Sequence, residues 1–199
     1  MWKMKVEDSL VQFTGRVLPS ENIIQGSPSR ELRYSAGPKV DWTQSVKRNP
    51  QLNAQNMPCW VVMVPRNLER ETVLFVEALM DAADKMGHKL GMPKRWDIKD
   101  DNQATYVNEL EDMLSQCEPK PSLVLCAVSN NRGDRYSAIK KKCSIDRPVP
   151  TQVVTVKAMT NRNLASIASK VAIQINCKVN HFYTSNFYTT CFLKIIINT

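Results

Sequence analysis

Two uninterrupted apolar runs constrain the fold of this 199-residue chain more than any other feature. Residues 59–64 read CWVVMV between Pro58 and Pro65, and residues 122–128 read SLVLCAV. A strand that is apolar at every position must be covered on both faces, which is typical of a parallel sheet. Each run is followed by a segment with helical periodicity, so strands and helices alternate along the chain.

The alternation predicts four strand–helix pairs. The predicted strands are residues 59–64, 95–98, 122–128 and 151–156. The predicted helices are one capped by Asn67 and ended by Gly87, then residues 104–116, 135–143 and 164–177. This order predicts an α/β fold, a Rossmann-like domain with a central, mainly parallel sheet flanked by helices and preceded by an extended linker. Ligands of such sheets bind beyond the carboxyl ends of the strands, where the polar loop 129–134 lies.

The positive charge of the chain is concentrated in one segment. Residues 130–178 contain ten Lys or Arg and two Asp, so 10 − 2 = +8, which equals the net charge of the whole chain. A local basic field indicates an anionic partner such as nucleic acid, although a solvated basic helix face is the simpler alternative. The sequence has no GxGxxG or GxxxxGK[ST] motif, which disfavours a dinucleotide-binding protein or a nucleotide triphosphatase.

The cysteines and the hydropathy further narrow the class of protein to which this chain can belong. None of the six cysteines forms a CxxC pair and there are two histidines, so a zinc site is disfavoured. Reduced thiols suit a cytoplasmic or nuclear protein. No apolar run reaches the roughly 18 residues of a membrane helix, and we therefore expect no membrane partner.

Five polar side chains are spaced so that they can converge at one end of the sheet. Tyr136 and Lys140 are four residues apart on one predicted helix, as are Gln174 and Lys178 on another, and Gln152 opens the strand between them. Two lysines suit a phosphate, two glutamines supply neutral donors and acceptors, and a tyrosine ring can stack on a base. This spacing predicts a pocket for a terminal phosphorylated nucleotide, although it also occurs on exposed helices. We see no acid–base or nucleophile set and predict no catalytic residues.

Several motifs in the same order resemble the linker and MID domain of PIWI-clade Argonaute proteins. They are residues 13–19 (FTGRVLP), 60–65 (WVVMVP), 134–143 (DRYSAIKKKC), 146–154 (DRPVPTQVV) and 170–178 (KVAIQINCK). The resemblance covers roughly residues 10–178. It implies binding of the 5′-phosphorylated end of a small single-stranded guide RNA, a Piwi-interacting RNA, in transposon silencing in the germline. Other proteins of a silencing complex are implied as partners.

The resemblance also implies roles for individual residues. Tyr136 matches the tyrosine that stacks on the first base, and Lys140, Gln152 and Lys178 match residues that hold the 5′ phosphate. Gln174 falls where many other Argonautes have a lysine, a replacement that implies a Mg2+ ion near the phosphate, with Gln152 and Gln174 as its neighbours. The base-reading loop comprises Asn130, Asn131, Arg132, Gly133 and Asp134. A uridine is the first base that the clade commonly prefers, and Gly133 predicts a flexible loop.

The chain also departs from the family pattern. We predict a linker at 1–57, a MID domain at 58–178 and an unrelated tail at 179–199, where translated intron and a genuine isoform are alternatives. The PAZ domain and the PIWI nuclease domain of the family are not recognised here, so we expect no target cleavage by this fragment. A protein-interaction module or a mononucleotide sensor with vestigial guide binding remains an alternative function. The expected location is the cytoplasm, including perinuclear granules, or the nucleus.

Overall fold

A computed structural model describes residues 8–26, 31–39 and 43–183, the side chains of 43 and 180–183 excepted. The strands are β1 Asn22–Gly26, β2 Glu31–Ser35, β3 Val61–Pro65, β4 Lys94–Ile98, β5 Val124–Val128 and β6 Thr151–Thr155. The helices are α1 Thr43–Arg48, α2 Glu69–Lys85, α3 Gln103–Gln116, α4 Gly133–Lys141, α5 Val156–Met159 and α6 Leu164–Tyr183. None of the described helices is long and apolar enough to cross a membrane.

The central sheet has four parallel strands in the order β4-β3-β5-β6. Met63 of β3 pairs with Cys126 of β5, and Val124 of β5 pairs with Thr151 of β6. The predicted α/β fold with a parallel sheet is therefore confirmed. Because β6 stands at the edge of the sheet, one side of it is open to residues from the neighbouring helices.

Helices cover both faces of the sheet, as the uninterrupted apolar strands require. Because the backbone of a strand is pleated, successive side chains point to opposite faces of the sheet. Val62, Val64 and Leu125 pack with Phe75 and Leu79 of α2 and with Ala172 and Ile175 of α6. On the other face, Val61, Met63 and Cys126 pack with Tyr106 and Leu110 of α3 and with Ile139 of α4.

The starts of helices α2 and α4 differ from the sequence prediction. Asn67 does not cap α2; it lies in a 3-10 turn, Arg66–Leu68, that precedes the helix. Gly87 has φ +74 directly after the helix end, as expected of a terminating glycine. Helix α4 begins at Gly133, two residues earlier than predicted, and continues into a π-helical turn, Lys142–Asp146.

The segment before the sheet is only partly extended. Residues 11–17 form no strand in the described structure, and Val11, Phe13 and Val17 are exposed. Strands β1 and β2 instead form an antiparallel hairpin that the sequence did not predict, with Ile23 and Ile24 buried.

The predicted domain limits stay a prediction. Helix α6 does not end at residue 178 but continues through Tyr183, and Val179 is buried in the core. Residues 184–199, which make up most of the predicted tail, lie outside the described residues.

Candidate functional site

Four of the five predicted site residues come together at the start of the edge strand β6. Lys140 Nζ donates to the backbone oxygen of Thr151 at 2.8 Å, and Lys178 Nζ donates to the same oxygen at 3.0 Å. Lys178 Nζ also donates to Gln152 Oε1 at 2.5 Å. Gln152 Nε2 in turn donates to Gln174 Oε1 at 3.3 Å, which links the two glutamines. We call Lys140, Gln152, Gln174 and Lys178 the lysine cluster.

The position of the lysine cluster follows from the connections between the strands. Because β5 and β6 are parallel, α4 must run back toward the amino end of the sheet, and its last turn carries Lys140 there. Helix α6 returns in the same way from the carboxyl end of β6, so its second half carries Gln174 and Lys178 to the start of that strand. The lysine cluster therefore lies at the amino end of β6, not at the carboxyl ends where the fold class predicts ligands.

The electrostatics of the cluster favour an anion. Both lysines are half-buried, and burial lowers the pKa of each ammonium group below its usual value. Burial together with the positive charge of Lys140 brings the pKa of Lys178 to about 8. No acidic side chain of the described residues forms an ion pair with either lysine. Two ammonium groups that share one neutral carbonyl oxygen can therefore bind a multiply charged anion, which would neutralise both charges.

Tyr136 adds an exposed aromatic face beside the lysines. Its side chain is 48% exposed, and Lys140 Nζ lies 5.8 Å from the centre of its ring. The ring lies one turn into α4, whereas Lys140 is in the last turn of that helix. A ring that is open to solvent next to an anion-binding group can stack on a flat apolar surface such as a nucleobase.

The two glutamines do not form a metal site by themselves. Their oxygens are neutral, that of Gln152 accepts from an ammonium, and that of Gln174 accepts from an amide. No group of three His, Cys, Asp or Glu residues in the described part of the chain is arranged to hold a metal ion. A hard cation such as Mg2+ prefers charged oxygen ligands, so these residues fit it only when a phosphate supplies its own oxygens.

The predicted base-reading loop is hydrogen-bonded at both of its ends. Arg135 Nη1 donates to Asp101 Oδ2 at 2.6 Å, and Arg135 Nη2 donates to the backbone oxygen of Asn130 at 2.6 Å. The Ser129 amide also donates to Asp101 Oδ2, at 2.8 Å. Gly133 begins α4 without the positive φ that would call for glycine. Asp101 and Arg135 therefore contact both ends of the loop, and the flexibility expected from Gly133 stays a prediction.

The rest of the loop is exposed. Arg132 Nη2 and Asp134 Oδ2 form an ion pair of 2.6 Å whose side chains are 65% and 45% exposed. Both residues line an open groove of about 480 Å3 that extends to the start of α3 at Gln103. The loop lies at the carboxyl end of β5 and the lysines at the amino end of β6. Lys140 follows Asp134, the last loop residue, by six residues on α4, a rise of about 9 Å along the helix axis, with Tyr136 between them.

Sequence reasoning missed three contributors to this site. The backbone oxygen of Thr151 has no side-chain signature, so only the structure shows it to be the point where both lysines meet. Arg135 and Asp101 were not assigned a role, although Arg135 lies in the first turn of a helix and Asp101 three residues after a strand. Their contact spans 34 positions, which no local pattern can reveal.

The parallel α/β domain is of the Argonaute type, as comparison with known proteins shows. A family model described as the Piwi domain matches residues 123–189. The Piwi-like protein Siwi of Bombyx mori is 38% identical over 179 residues, which cover 89% of this chain and 19% of that protein. The structure is similar to the crystal structure of Drosophila Piwi, with a TM-score of 0.73 and 37% sequence identity. The alignment covers 83% of this chain and 22% of the Piwi chain.

This chain belongs to the PIWI clade of the Argonaute proteins. A more distant likeness, at 13% identity and a TM-score of 0.58, is to the crystal structure of Kluyveromyces polysporus Argonaute with a guide RNA, over 82% of this chain and 20% of that one. This second likeness concerns the fold alone. The chain spans about a fifth of the length of the curated relatives it matches.

Proposed function

We propose that this domain anchors the 5′-phosphorylated end of a small single-stranded guide RNA of the Piwi-interacting class. The observation that carries the proposal is the pair of half-buried ammonium groups, Lys140 and Lys178, on one carbonyl oxygen with no described acid to neutralise them. Kinship with PIWI-clade proteins supports RNA as the source of the anion, as does the likeness in fold to an Argonaute crystallised with a guide RNA. In this role the domain would serve RNA silencing together with other proteins of a silencing complex.

Each residue has a role that follows from its chemistry. The phosphate takes the place of the Thr151 oxygen as acceptor for both lysines, since a charged acceptor forms the stronger hydrogen bond. Gln152 and Gln174 contribute amide N–H donors, which bind phosphate oxygens without adding charge. The Tyr136 ring stacks on the first base, and the loop 130–134 contacts the edge of that base. Target cleavage is not part of the proposal.

Mg2+ enters the proposal as a companion of the phosphate. The phosphate oxygens provide the charge that the two glutamines lack, and Gln152 or Gln174 turns an amide oxygen toward the ion. We expect Mg2+ to increase the affinity for 5′-phosphorylated RNA and not for 5′-hydroxyl RNA. In Gln174→Lys the added ammonium replaces the charge of the ion, so the affinity of this variant should no longer depend on Mg2+.

The decisive experiment compares two RNAs that differ only at the 5′ end. We expect the 199-residue chain to bind 5′-phosphorylated RNA more tightly than 5′-hydroxyl RNA, and Lys140→Ala plus Lys178→Ala to remove the difference. Lys141→Ala, which alters the exposed neighbour of Lys140, is the matched control and should keep it. Equal affinity of the unaltered chain for both RNAs would refute the proposal. Tight binding of uridine monophosphate without RNA binding would indicate a mononucleotide sensor instead.

A further inference from the structure

Helix α6 presents two different surfaces in its last described turns. Gln174 and Lys178 are four residues apart and both reach β6. Asn176 lies halfway between them in sequence, and therefore on the opposite side of the helix. Its side chain is only 4% exposed, which is unusual for an asparagine and requires that its polar atoms be satisfied.

Both the amide nitrogen and the amide oxygen of Asn176 contact one segment of the chain, residues 51–55, which we call the linker strap. Asn176 Nδ2 donates to the backbone oxygen of Asn53 at 3.0 Å and also to Gln51 Oε1. Asn176 Oδ1 accepts from the backbone amide of Gln55 at 3.0 Å. One side chain thus binds three residues of the strap, more than 120 positions away in sequence.

The strap is itself tied to the rest of the domain and to the hairpin. The Gln51 amide donates to the backbone oxygen of Met86, just after α2, at 2.9 Å. The Gly26 amide at the end of β1 donates to the backbone oxygen of Pro50 at 3.0 Å. Gly26 approaches so closely that a Cβ atom there would lie 2.7 Å from the Gln51 oxygen. The position of the strap is therefore fixed by α2 and the hairpin independently of α6.

We propose that Asn176 is a positioning residue for the lysine cluster, an inference that rests on the proposed function. Asn176 lies two residues before Lys178. When the linker strap is hydrogen-bonded to Asn176, which we call the seated strap, it sets the position of this part of α6. Lys178 Nζ is 2.5 Å from Gln152 Oε1 and 3.0 Å from the Thr151 oxygen, distances that a shift of about 1 Å in the helix would disrupt. Seating of the linker strap therefore strengthens the binding of a 5′ phosphate.

The coupling must act in both directions. If the seated strap favours phosphate binding, then bound phosphate favours the seated strap by the same factor. We therefore expect RNA with a 5′ phosphate to slow hydrogen exchange of the Gln55 amide, which Asn176 binds, more than RNA with a 5′ hydroxyl does. A purely structural asparagine would not make that exchange depend on the 5′ end of the RNA.

The test uses the 199-residue chain and the ratio of its affinities for 5′-phosphorylated and 5′-hydroxyl RNA. Asn176→Ala should lower this ratio by about fivefold or more. Gln51→Ala removes one contact of Asn176 from the strap side, leaves α6 unaltered and should lower the ratio in the same direction. Gln55→Ala is the matched control, because Gln55 uses its backbone amide for the contact and should keep the ratio.

The affinity ratios distinguish failure of the positioning role of Asn176 from failure of the proposed function. An unchanged ratio in Asn176→Ala, with the unaltered chain still preferring the 5′ phosphate, overturns the positioning role and leaves the proposed function intact. If Asn176→Ala does not fold, an unchanged ratio in Gln51→Ala overturns it equally. If the unaltered chain shows no preference for either RNA, both the positioning role and the proposed function fail.

Discussion

Lys140 and Lys178 come from different helices and donate to the same backbone oxygen, that of Thr151, at 2.8 and 3.0 Å. Two like charges that meet in a half-buried place oppose each other, and this is one cause of the lowered pKa of Lys178. The arrangement therefore costs stability in the free protein and gains it when an anion binds. Such a conflict between stability and binding is typical of functional sites.

Replacement of Lys178 by an uncharged residue should stabilise the free protein. In Lys178→Met the apolar stem is kept and the repulsion from Lys140 is removed, so we expect the free energy of unfolding to rise by on the order of 1 kcal/mol, after discounting for the solvent that screens this partly exposed group. Urea denaturation without RNA measures the change. Lys170→Met, at an exposed position of the same helix, is the control and should be nearly neutral. A large loss of stability in Lys178→Met would contradict the expectation.

The affinity for a 5′ phosphate should fall at alkaline pH. The pKa of Lys178 is about 8 in the free protein, and a bound phosphate raises it, so binding takes up a proton once the pH exceeds that value. We expect the affinity for 5′-phosphorylated RNA to be level between about pH 7 and pH 8, where the phosphate is a dianion, and to fall progressively above. RNA with a 5′ hydroxyl and the variant Lys178→Met are the controls, and neither should show this fall.

The free energy of unfolding also depends on the titration of Lys178, but it should rise with pH where the affinity for a 5′ phosphate falls. The pKa of Lys178 in the folded state lies below its ordinary value of 10.5, so the folded state binds fewer protons than the unfolded state between about pH 8 and that value. The contribution of Lys178 to the free energy of unfolding should therefore rise with pH across this window. The difference between the pH profiles of the unaltered chain and of Lys178→Met isolates it.

Tyr136 should contribute to RNA affinity without contributing to stability. Its ring is 48% exposed, so Tyr136→Ala should change the free energy of unfolding little. Loss of stacking on one base costs about 1–3 kcal/mol, which corresponds to roughly a fivefold to 150-fold weaker binding of 5′-phosphorylated RNA. Fluorescence anisotropy titrations measure it, and Tyr136→Phe should bind like the unaltered chain. Equal losses in both variants would argue against stacking.

The sequence was informative where the signal is local. Continuous apolar runs predicted the buried strands β3 and β5 because no half-exposed strand tolerates such a pattern. Spacing of four residues put Tyr136 with Lys140 and Gln174 with Lys178, and in the structure each pair reaches the same place. These predictions depended on helix and strand periodicity, which a few neighbouring residues determine.

The features that the sequence missed all depend on distant parts of the chain. The amino-end position of the lysine cluster follows from which strand neighbours which, and no periodicity encodes strand order. Asn176 and Arg135 carry their meaning in contacts with the linker strap and with Asp101, and an isolated asparagine or arginine on a helix indicates neither. The hairpin β1–β2 contacts Pro50 through the Gly26 amide, a contact between positions distant in sequence that no local pattern reveals.

Arg135 should be essential for the order of the predicted base-reading loop. Its ion pair with Asp101 is buried, with side chains 5% and 19% exposed, so Arg135→Met leaves Asp101 without its charged partner. We expect a loss of about 3 kcal/mol or more in the free energy of unfolding, together with faster hydrogen exchange of the Ser129 amide. Arg132→Met is the matched control, because its ion pair with Asp134 is exposed and should contribute less than about 1 kcal/mol. Similar losses in the two variants would contradict the assignment.

His88 should make the protein less stable in mild acid. Its side chain is fully buried, and neither ring nitrogen has a hydrogen-bond partner among the described residues. Burial lowers the pKa of His88 below its ordinary value of 6.5, and the nearby backbone carbonyl of Gln55 only partly opposes this shift. The unfolded chain therefore binds a proton below about pH 6.5 that the folded chain does not, and the free energy of unfolding decreases as the pH falls through this range.

The free energy of unfolding, measured by urea denaturation from about pH 8 down to pH 5, tests this dependence on His88. His88→Leu is similar in size and carries no titratable group, so the difference between its profile and that of the unaltered chain isolates the histidine. We expect the difference to be constant above about pH 6.5 and to shift in favour of the leucine variant below it. A constant difference across the whole range would show that His88 is not buried in its neutral form, and with it that this face of the linker strap is open to water.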